Sequence, residues 1–326
     1  MLDKKSGIFS NRSIRPTLVL FSVAALFVLS LPQLSRVEKQ QLPSLVKLGE
    51  TLFNTPLLSS DKMTACSSCH IARLGFSGDL PLAIGSGGNK ARRRTPTLLE
   101  TSHLPFYRWD GAAKSLAEQV SMALEGDMLV DWKQGLRDVR ADSQIQKMTE
   151  ATGFESLSRQ IIIDAITSYV KKIPSPKTRF DRYYFDHDEA ALSQEEVLGF
   201  KLFVRKAGCS SCHLVGSQGA PFTDGAFHVT GASADDGSIP DRGRFEITKM
   251  VEDMYAFKTP TLRSSALRPY FMHNGSMKSL KQVISYYNTI ENKRIMSIDS
   301  RLSKLYLSEE EINAICMFLN SLNPSD

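Results

Sequence analysis

Two copies of one pentapeptide constrain this chain more than anything else in it: Cys66-Ser67-Ser68-Cys69-His70 and Cys209-Ser210-Ser211-Cys212-His213. Cys-x-x-Cys-His is the attachment sequence of c-type haem. Its thiols form thioether bonds to the haem vinyl groups, and the adjacent histidine reaches the iron as proximal ligand. Cys66, Cys69, Cys209 and Cys212 are four of the five cysteines. The reading is therefore two covalently bound c-type haems, with His70 and His213 as iron ligands. A Cys₄ zinc site places its halves roughly 15–20 residues apart. Here they are 143 residues apart, and each ends in histidine. A thioredoxin-like motif needs one copy in a βαβ setting, and two structural disulfides leave the paired histidines unexplained.

At 326 residues the chain is long enough for two ordinary domains. Its net charge of +5 falls largely in the first 35 residues, where Lys4, Lys5, Arg12 and Arg15 face Asp3 alone. The near-neutral remainder argues against a nucleic-acid partner. Thr17 to Leu31 is almost unbroken apolar sequence behind that basic start. This is the pattern of a secretory signal peptide, and it is short for a membrane span. No small-x-small cleavage site precedes Arg36, so residues 1–36 read as either a cleaved signal or an N-terminal anchor. Either way the body is exported: periplasmic, and soluble or attached to the inner membrane.

The chain also repeats itself. Leu48-Gly49 before the first pentapeptide recurs as Leu198-Gly199 before the second, each followed closely by Leu-Phe. Thr95-Pro96-Thr97-Leu98 recurs as Thr259-Pro260-Thr261-Leu262, and Pro105–Val120 matches Pro269–Ile284, at an offset of 164. Trp109 occupies the slot of His273. Several short blocks in shared order indicate internal duplication. Capping-box patterns at Ser115/Glu118, Ser193/Glu196, Ser279/Gln282 and Ser308/Glu311 open helices. Ile312, Ile315, Leu319 and Leu322 form one apolar stripe on the last helix. Ile173–Lys177 reads as the linker, and residues 75–94 and 216–244 read as Gly-rich loops. The expected fold is mainly α: two tandem c-type cytochrome-like domains, 37–175 and 176–326, each enclosing one haem.

The ordered blocks extend through Trp109-Asp110-Gly111, Phe222-Thr223-Asp224-Gly225, Asp241-x-Gly243-Arg244 and Phe257–Arg263 to His273-Asn274-Gly275. From about Leu45 to Leu322 the chain resembles the bacterial di-haem cytochrome c peroxidase family, and within it the MauG-like subgroup. The resemblance implies an oxidoreductase in which the N-terminal haem meets hydrogen peroxide and the C-terminal haem relays electrons, with Trp109 between them. In peroxidases of the family that need reductive activation, a histidine blocks the first haem. Ser86 stands at its place, and the nearest other histidine of that stretch is His103. The first iron is thus expected to be open.

By the same resemblance, Tyr287 takes the distal-ligand position of the second haem, where other members carry methionine. A tyrosinate ligand favours the oxidised iron. Asp127, before Met128, or Glu125 takes the acid–base role that peroxide chemistry requires. Arg93 and His228 are placed near haem propionates, and His273 between the haems without ligating. Calcium, held in the family by an asparagine side chain and two carbonyls, meets Arg94 here. Arginine offers no acceptor, so a weak calcium site or none is expected. The carbonyl positions fall at Arg268 and Tyr270. The implied reductant is a small cytochrome or cupredoxin, or a residue of a protein substrate. The rival reading is an electron-transfer cytochrome with both irons six-coordinate.

Overall fold

The computed structural model describes residues 36–232, 240–290 and 298–325. The apolar N-terminal segment, on which the signal-or-anchor reading falls, lies outside them. Among the described residues no helix is long and apolar enough to cross a membrane. The fold is mainly helical. In chain order the helices are α1 (Arg36–Asn54), the single turn α2 (Cys66–Cys69), α3 (Leu116–Met122), α4 (Trp132–Ala141), α5 (Ser143–Ala151) and α6 (Arg159–Lys172). They continue with α7 (Arg179–Tyr184), α8 (Gln194–Val204), the short α9 (Phe245–Thr248), α10 (Leu280–Asn288) and α11 (Glu309–Asn320).

Two apolar cores organise them. Leu48, Leu52, Phe53, Leu124, Ile162 and Ile166 belong to one, and Phe180, Phe203, Phe222, Ile315, Phe318 and Leu322 to the other. In the first, α1 crosses α6 so closely that a Cβ on Gly49 would sit 1.9 Å from Ala165 O. In the second, α8 crosses α11, and a Cβ on Gly199 would sit 2.0 Å from Ala314 O. The repeated Leu-Gly pair thus marks two equivalent helix crossings where only a hydrogen fits. The stripe read on the last helix is buried as expected: Ile312, Ile315, Leu319 and Leu322 are all at or below 5 % exposure.

The helix starts follow the capping patterns. Ser193/Glu196 and Ser308/Glu311 form reciprocal boxes. Ser115 and Ser279 accept from the backbone N–H three residues on, while Glu118 and Gln282 accept instead from Lys114 N and Lys278 N, each at 2.7 Å. Helix α6 ends at Lys172, at the edge of the Pro-containing linker. One loop expectation needs correction. Within 216–244, Phe227–Val229 forms a short strand, β1, antiparallel to β2 (Ala256–Lys258). Two β-branched or aromatic residues flanking His228 were too short a signal to stand out from the glycines around them.

Hydrogen bonds recur at the 164-residue offset. Tyr107 N donates to Ala113 O and Phe271 N to Met277 O, both at 2.8 Å. A second pair shares the offset only at its acceptors: the Ser77 hydroxyl donates to Thr95 O at 3.0 Å and the Thr223 hydroxyl, 146 residues after Ser77, to Thr259 O at 2.7 Å. Across the boundary Arg94 N donates to His273 O at 2.7 Å, and Lys258 N to Trp109 O at 2.8 Å. The two halves thus exchange one backbone bond each way, at matched residues.

Candidate haem sites and the boundary between them

Each pentapeptide coils tightly before its histidine. His70 N donates to Cys66 O and His213 N to Cys209 O, both at 2.9 Å. The rings are then fixed from the other side. His70 Nδ1 lies 3.1 Å from Phe76 O, and His213 Nδ1 lies 2.9 Å from Phe222 O. A carbonyl can only accept, so Nδ1 carries the proton and Nε2 keeps its lone pair for a metal. Phe76 and Phe222 both take positive φ, 55° and 52°, to aim those carbonyls. Burial holds both imidazoles below their ordinary pKa, against the pull of the backbone bonds. All four pentapeptide thiols are free. Burial pushes Cys66 and Cys209 up to about 12, so they are not the low-pKa nucleophiles of a dithiol redox site. Two neutral imidazoles with free Nε2, each beside two unpaired thiols, fit a c-type haem.

What faces the thiols differs between the halves. Helix α3 runs into a π-helical turn, Ala123–Asp127. Such turns recur at functional sites. Asp127 follows at its end, close enough for its charge to act on both Cys66 and Cys69. Its carboxyl is raised by burial, with Arg108 opposing from 3.1 Å. Glu125 is held elsewhere, ion-paired to Arg159, whose guanidinium lies over Trp132. The structure therefore brings Asp127, not Glu125, to the Cys66/Cys69 site. The Ala83–Gly87 loop closes onto it: a Cβ on Gly85 would lie 2.4 Å from Asp127 O. Ser86 is fully buried, with its oxygen 2.8 Å from Ser60 Oγ and accepting from Asp61 N at 3.1 Å. The His103 side chain lies outside the described atoms.

In the second half α10 carries Tyr287. Its phenol is pushed up, first by burial and then by Tyr286, with Thr230 opposing, and Cys209 and Cys212 both act on it. The 164-residue offset pairs Tyr287 with Ala123. The first half thus has a methyl group where the second has a potential oxygen ligand.

His228 sits 2.8 Å from Asp224 through Nε2 and 2.7 Å from Asp299 through Nδ1, beside Arg301. Its pKa is raised to about 9, first by Cys212 and then, against desolvation, by Asp224. Possible ligand atoms of Cys212, Asp224 and His228 lie within 4.8 Å of one another.

The boundary blocks meet around Trp109, which is 7 % exposed. Its indole N–H donates to Arg94 O at 2.8 Å, and the Arg94 guanidinium lies 5.6 Å from the ring. Arg93, expected near a propionate, is engaged by the carboxylates of Asp110 and Asp241. Asp241 is thereby explained as a block residue. So is Arg244, which donates to Asp110 O and covers the Phe227 ring at 3.8 Å. His273 stacks on Phe257 at 3.6 Å, and burial lowers its pKa to about 4. Sequence reasoning missed the bidentate Arg263–Asp181 pair, at 2.9 and 2.8 Å, which also meets Glu100 at 3.2 Å. Arg263 ends a recognised block, but Asp181 carried no signal.

A mainly helical fold with two such histidine–dithiol sites is the frame of a two-haem redox protein. The chain belongs to the di-haem cytochrome c peroxidase family, whose profile matches residues 43–190. It is 31 % identical over 291 residues to the methylamine utilization protein MauG of Methylorubrum extorquens, covering 86 % of this chain and 78 % of that one. It is 30 % identical over 288 residues to the cytochrome c551 peroxidase of Pseudomonas aeruginosa, covering 85 % and 78 %. Among solved structures, a MauG-like protein associated with microbial copper homeostasis superposes with a TM-score of 0.78 at 26 % identity, covering 86 % of this chain and 89 % of that one.

Proposed function

We propose that this is an exported di-haem peroxidase of the MauG-like kind, formed from a domain of residues 37–175 and a domain of residues 176–326. In this reading Cys66, Cys69, Cys209 and Cys212 attach two haems covalently, and His70 and His213 ligate them. The bound groups supply iron-centred redox chemistry and, at the first site, a place for hydrogen peroxide. The observation that carries the reading is the asymmetry of the two matched sites. The first offers Ala123 and a spent Ser86 hydroxyl where a ligand would stand. The second offers the phenol of Tyr287. An electron-transfer cytochrome would need a second ligand in both.

Asp127 takes a proton from bound peroxide and returns it to the departing oxygen. Burial raises its pKa and the Arg108 guanidinium opposes that shift. Trp109, bonded to both halves, relays electrons between the sites. Cys212 is committed to a thioether, so the Cys212/Asp224/His228 group serves hydrogen bonding rather than a further metal. Electrons enter from a small cytochrome or cupredoxin, or from a side chain of a protein substrate.

Low-temperature EPR of the diferric protein tests this. One high-spin and one low-spin signal are expected, with the high-spin signal lost on one equivalent of hydrogen peroxide. Tyr287→Phe should alter only the low-spin signal. Two low-spin signals indifferent to peroxide would sink the peroxidase reading and favour the electron carrier.

The Arg94 guanidinium donates to Ser77 Oγ at 2.7 Å and to the carbonyls of Thr95 and Met272 at 3.3 Å. These three oxygens are met by a fixed cation. Dialysis against EDTA is expected to leave Tm and the EPR spectrum unchanged; loss of either signal would restore calcium as a cofactor.

A further inference from the structure

The helix crossings of the two halves match closely, and the match exposes a difference. At Gly49 a Cβ would meet Ala165 O at 1.9 Å and Tyr169 Cβ at 3.0 Å; at Gly199 it would meet Ala314 O at 2.0 Å and Phe318 Cβ at 2.9 Å. Tyr169 of α6 thus occupies the place of Phe318 of α11. Their ring neighbours agree as well. Phe53 meets Tyr169 at 5.2 Å between ring centroids and 57° between planes, and Phe203 meets Phe318 at 5.1 Å and 57°. The same alignment of α1 with α8 pairs Lys47 with Val197 and Glu50 with Phe200.

Three positions therefore change together. In the second half they are Phe318, Phe200 and Val197, an apolar set in which Phe200 packs on Phe318 at 5.3 Å and Phe318 is fully buried. In the first half they are a phenol, a carboxylate and an ammonium. Lys47 holds Glu50 at 2.8 Å at the surface. Both charges act on the half-buried Tyr169 phenol, whose pKa is raised by burial first and then by Glu50, with Lys47 opposing. On its other side Phe53 lies 6.3 Å from the His70 ring. Tyr169, Phe53 and His70 thus form a line of rings from the surface to the first site. A benzene ring can bridge an electron but resists oxidation itself, whereas a phenol is oxidised readily when a base takes its proton.

We infer that Tyr169 is a one-electron donor to the first site, a second outlet for oxidising power that bypasses Trp109 and the second half. This rests on the peroxidase reading above. Hydrogen peroxide is the oxidant, and its reduction to two waters takes two electrons and two protons. Tyr169 supplies one electron, through the Phe53 ring to the His70 side, and the Trp109 route supplies the other. The phenolic O–H bond breaks as its proton passes to the Glu50 carboxylate. The protons of the two waters come from solvent, to which Glu50 returns the one it has taken. The neutral tyrosyl left behind recovers an electron and a proton from a one-electron reductant at the surface, such as a small phenol. Phe318 has no O–H to give, so the outlet belongs to the half that meets peroxide.

Rapid-freeze EPR of the two-haem protein, mixed with hydrogen peroxide without reductant, is the test on the parent, Tyr169→Phe and Glu50→Gln. Tyr169→Phe recreates the phenylalanine pair of the second half, so the crossing should hold. The parent should give a tyrosyl signal, narrowed when its tyrosines are ring-deuterated. That signal should be lost in Tyr169→Phe and form more slowly in Glu50→Gln. With a nitroso spin trap, peptide mapping should place the adduct on Tyr169. The visible spectrum of Tyr169→Phe should return to the diferric form more slowly than that of the parent, because one outlet is closed. An equal radical signal and an equal return rate in parent and Tyr169→Phe would overturn the proposal while leaving the peroxidase reading intact. An adduct on another tyrosine would do the same. A parent high-spin signal indifferent to peroxide would instead overturn the peroxidase reading, and this proposal with it. Radical formation at the parent rate in Glu50→Gln would remove Glu50 as the proton acceptor.

Discussion

Replacing Asp127 with asparagine is expected to lower peroxide-dependent kcat/KM by about 10²–10⁴-fold, the usual cost of removing a positioned acid–base group. Glu125→Gln should change it little, because that carboxylate is ion-paired to Arg159 and it is the Asp127 charge that acts on Cys66 and Cys69. Both variants should keep the parent haem spectrum, since neither residue touches His70 or Tyr287 in the structure. The acid limb of the pH profile carries a further signature. Burial raises the Asp127 carboxyl above the ordinary value of 3.8 and Arg108 pulls it back. Arg108→Ala removes the group that favours the ionised form, so the acid limb should move to higher pH. Stopped-flow consumption of hydrogen peroxide measures all of this. A Glu125→Gln loss equal to that of Asp127→Asn would transfer the role to Glu125.

Arg263→Met is expected to destabilise the protein by about 3–5 kcal/mol, because it leaves Asp181 buried without its cation. Both side chains are nearly inaccessible, at 8 % and 12 %. The pair ties α7 to the segment after β2, and Glu100 extends it into the first half. The pH dependence has a definite sign. Burial acts to raise the Asp181 carboxyl, but the Arg263 and Thr178 bonds outweigh it and hold the folded value below the ordinary 3.8. The pair's stabilisation is therefore fully present above that ordinary value and is lost as pH falls through the lower folded value. The gap between parent and Arg263→Met should be widest at neutral pH and close in acid. Adding Asp181→Asn should recover part of the loss, since removing both charges avoids the orphaned carboxylate. Denaturant melts at several pH values give the comparison. A gap that does not depend on pH would point to lost packing instead.

The sequence by itself determined the chemistry available to this protein and much of its frame. The pentapeptides place a histidine beside two thiols by local geometry alone, and the structure adds only the carbonyls of Phe76 and Phe222. The Leu-Gly pairs were legible as a repeat and the serine caps as helix starts, because each is written within a few residues; that each pair marks a helix crossing depends on Ala165 and Ala314, more than a hundred residues on. What tertiary structure decided depends on residues far apart in the chain. Asp127 and Glu125 are two residues apart, and only the π-turn and Arg159 separate their roles. Arg93 meets Asp241 across 148 residues, and Arg94 meets Met272 across 178. Nothing in a single arginine indicates whether it finds a carboxylate there, as Arg93 does, or only a hydroxyl and carbonyls, as Arg94 does. That difference comes from burial and from which acids other cations have already taken. Charge balance in a closed interior is a property of the whole boundary, not of any motif within it.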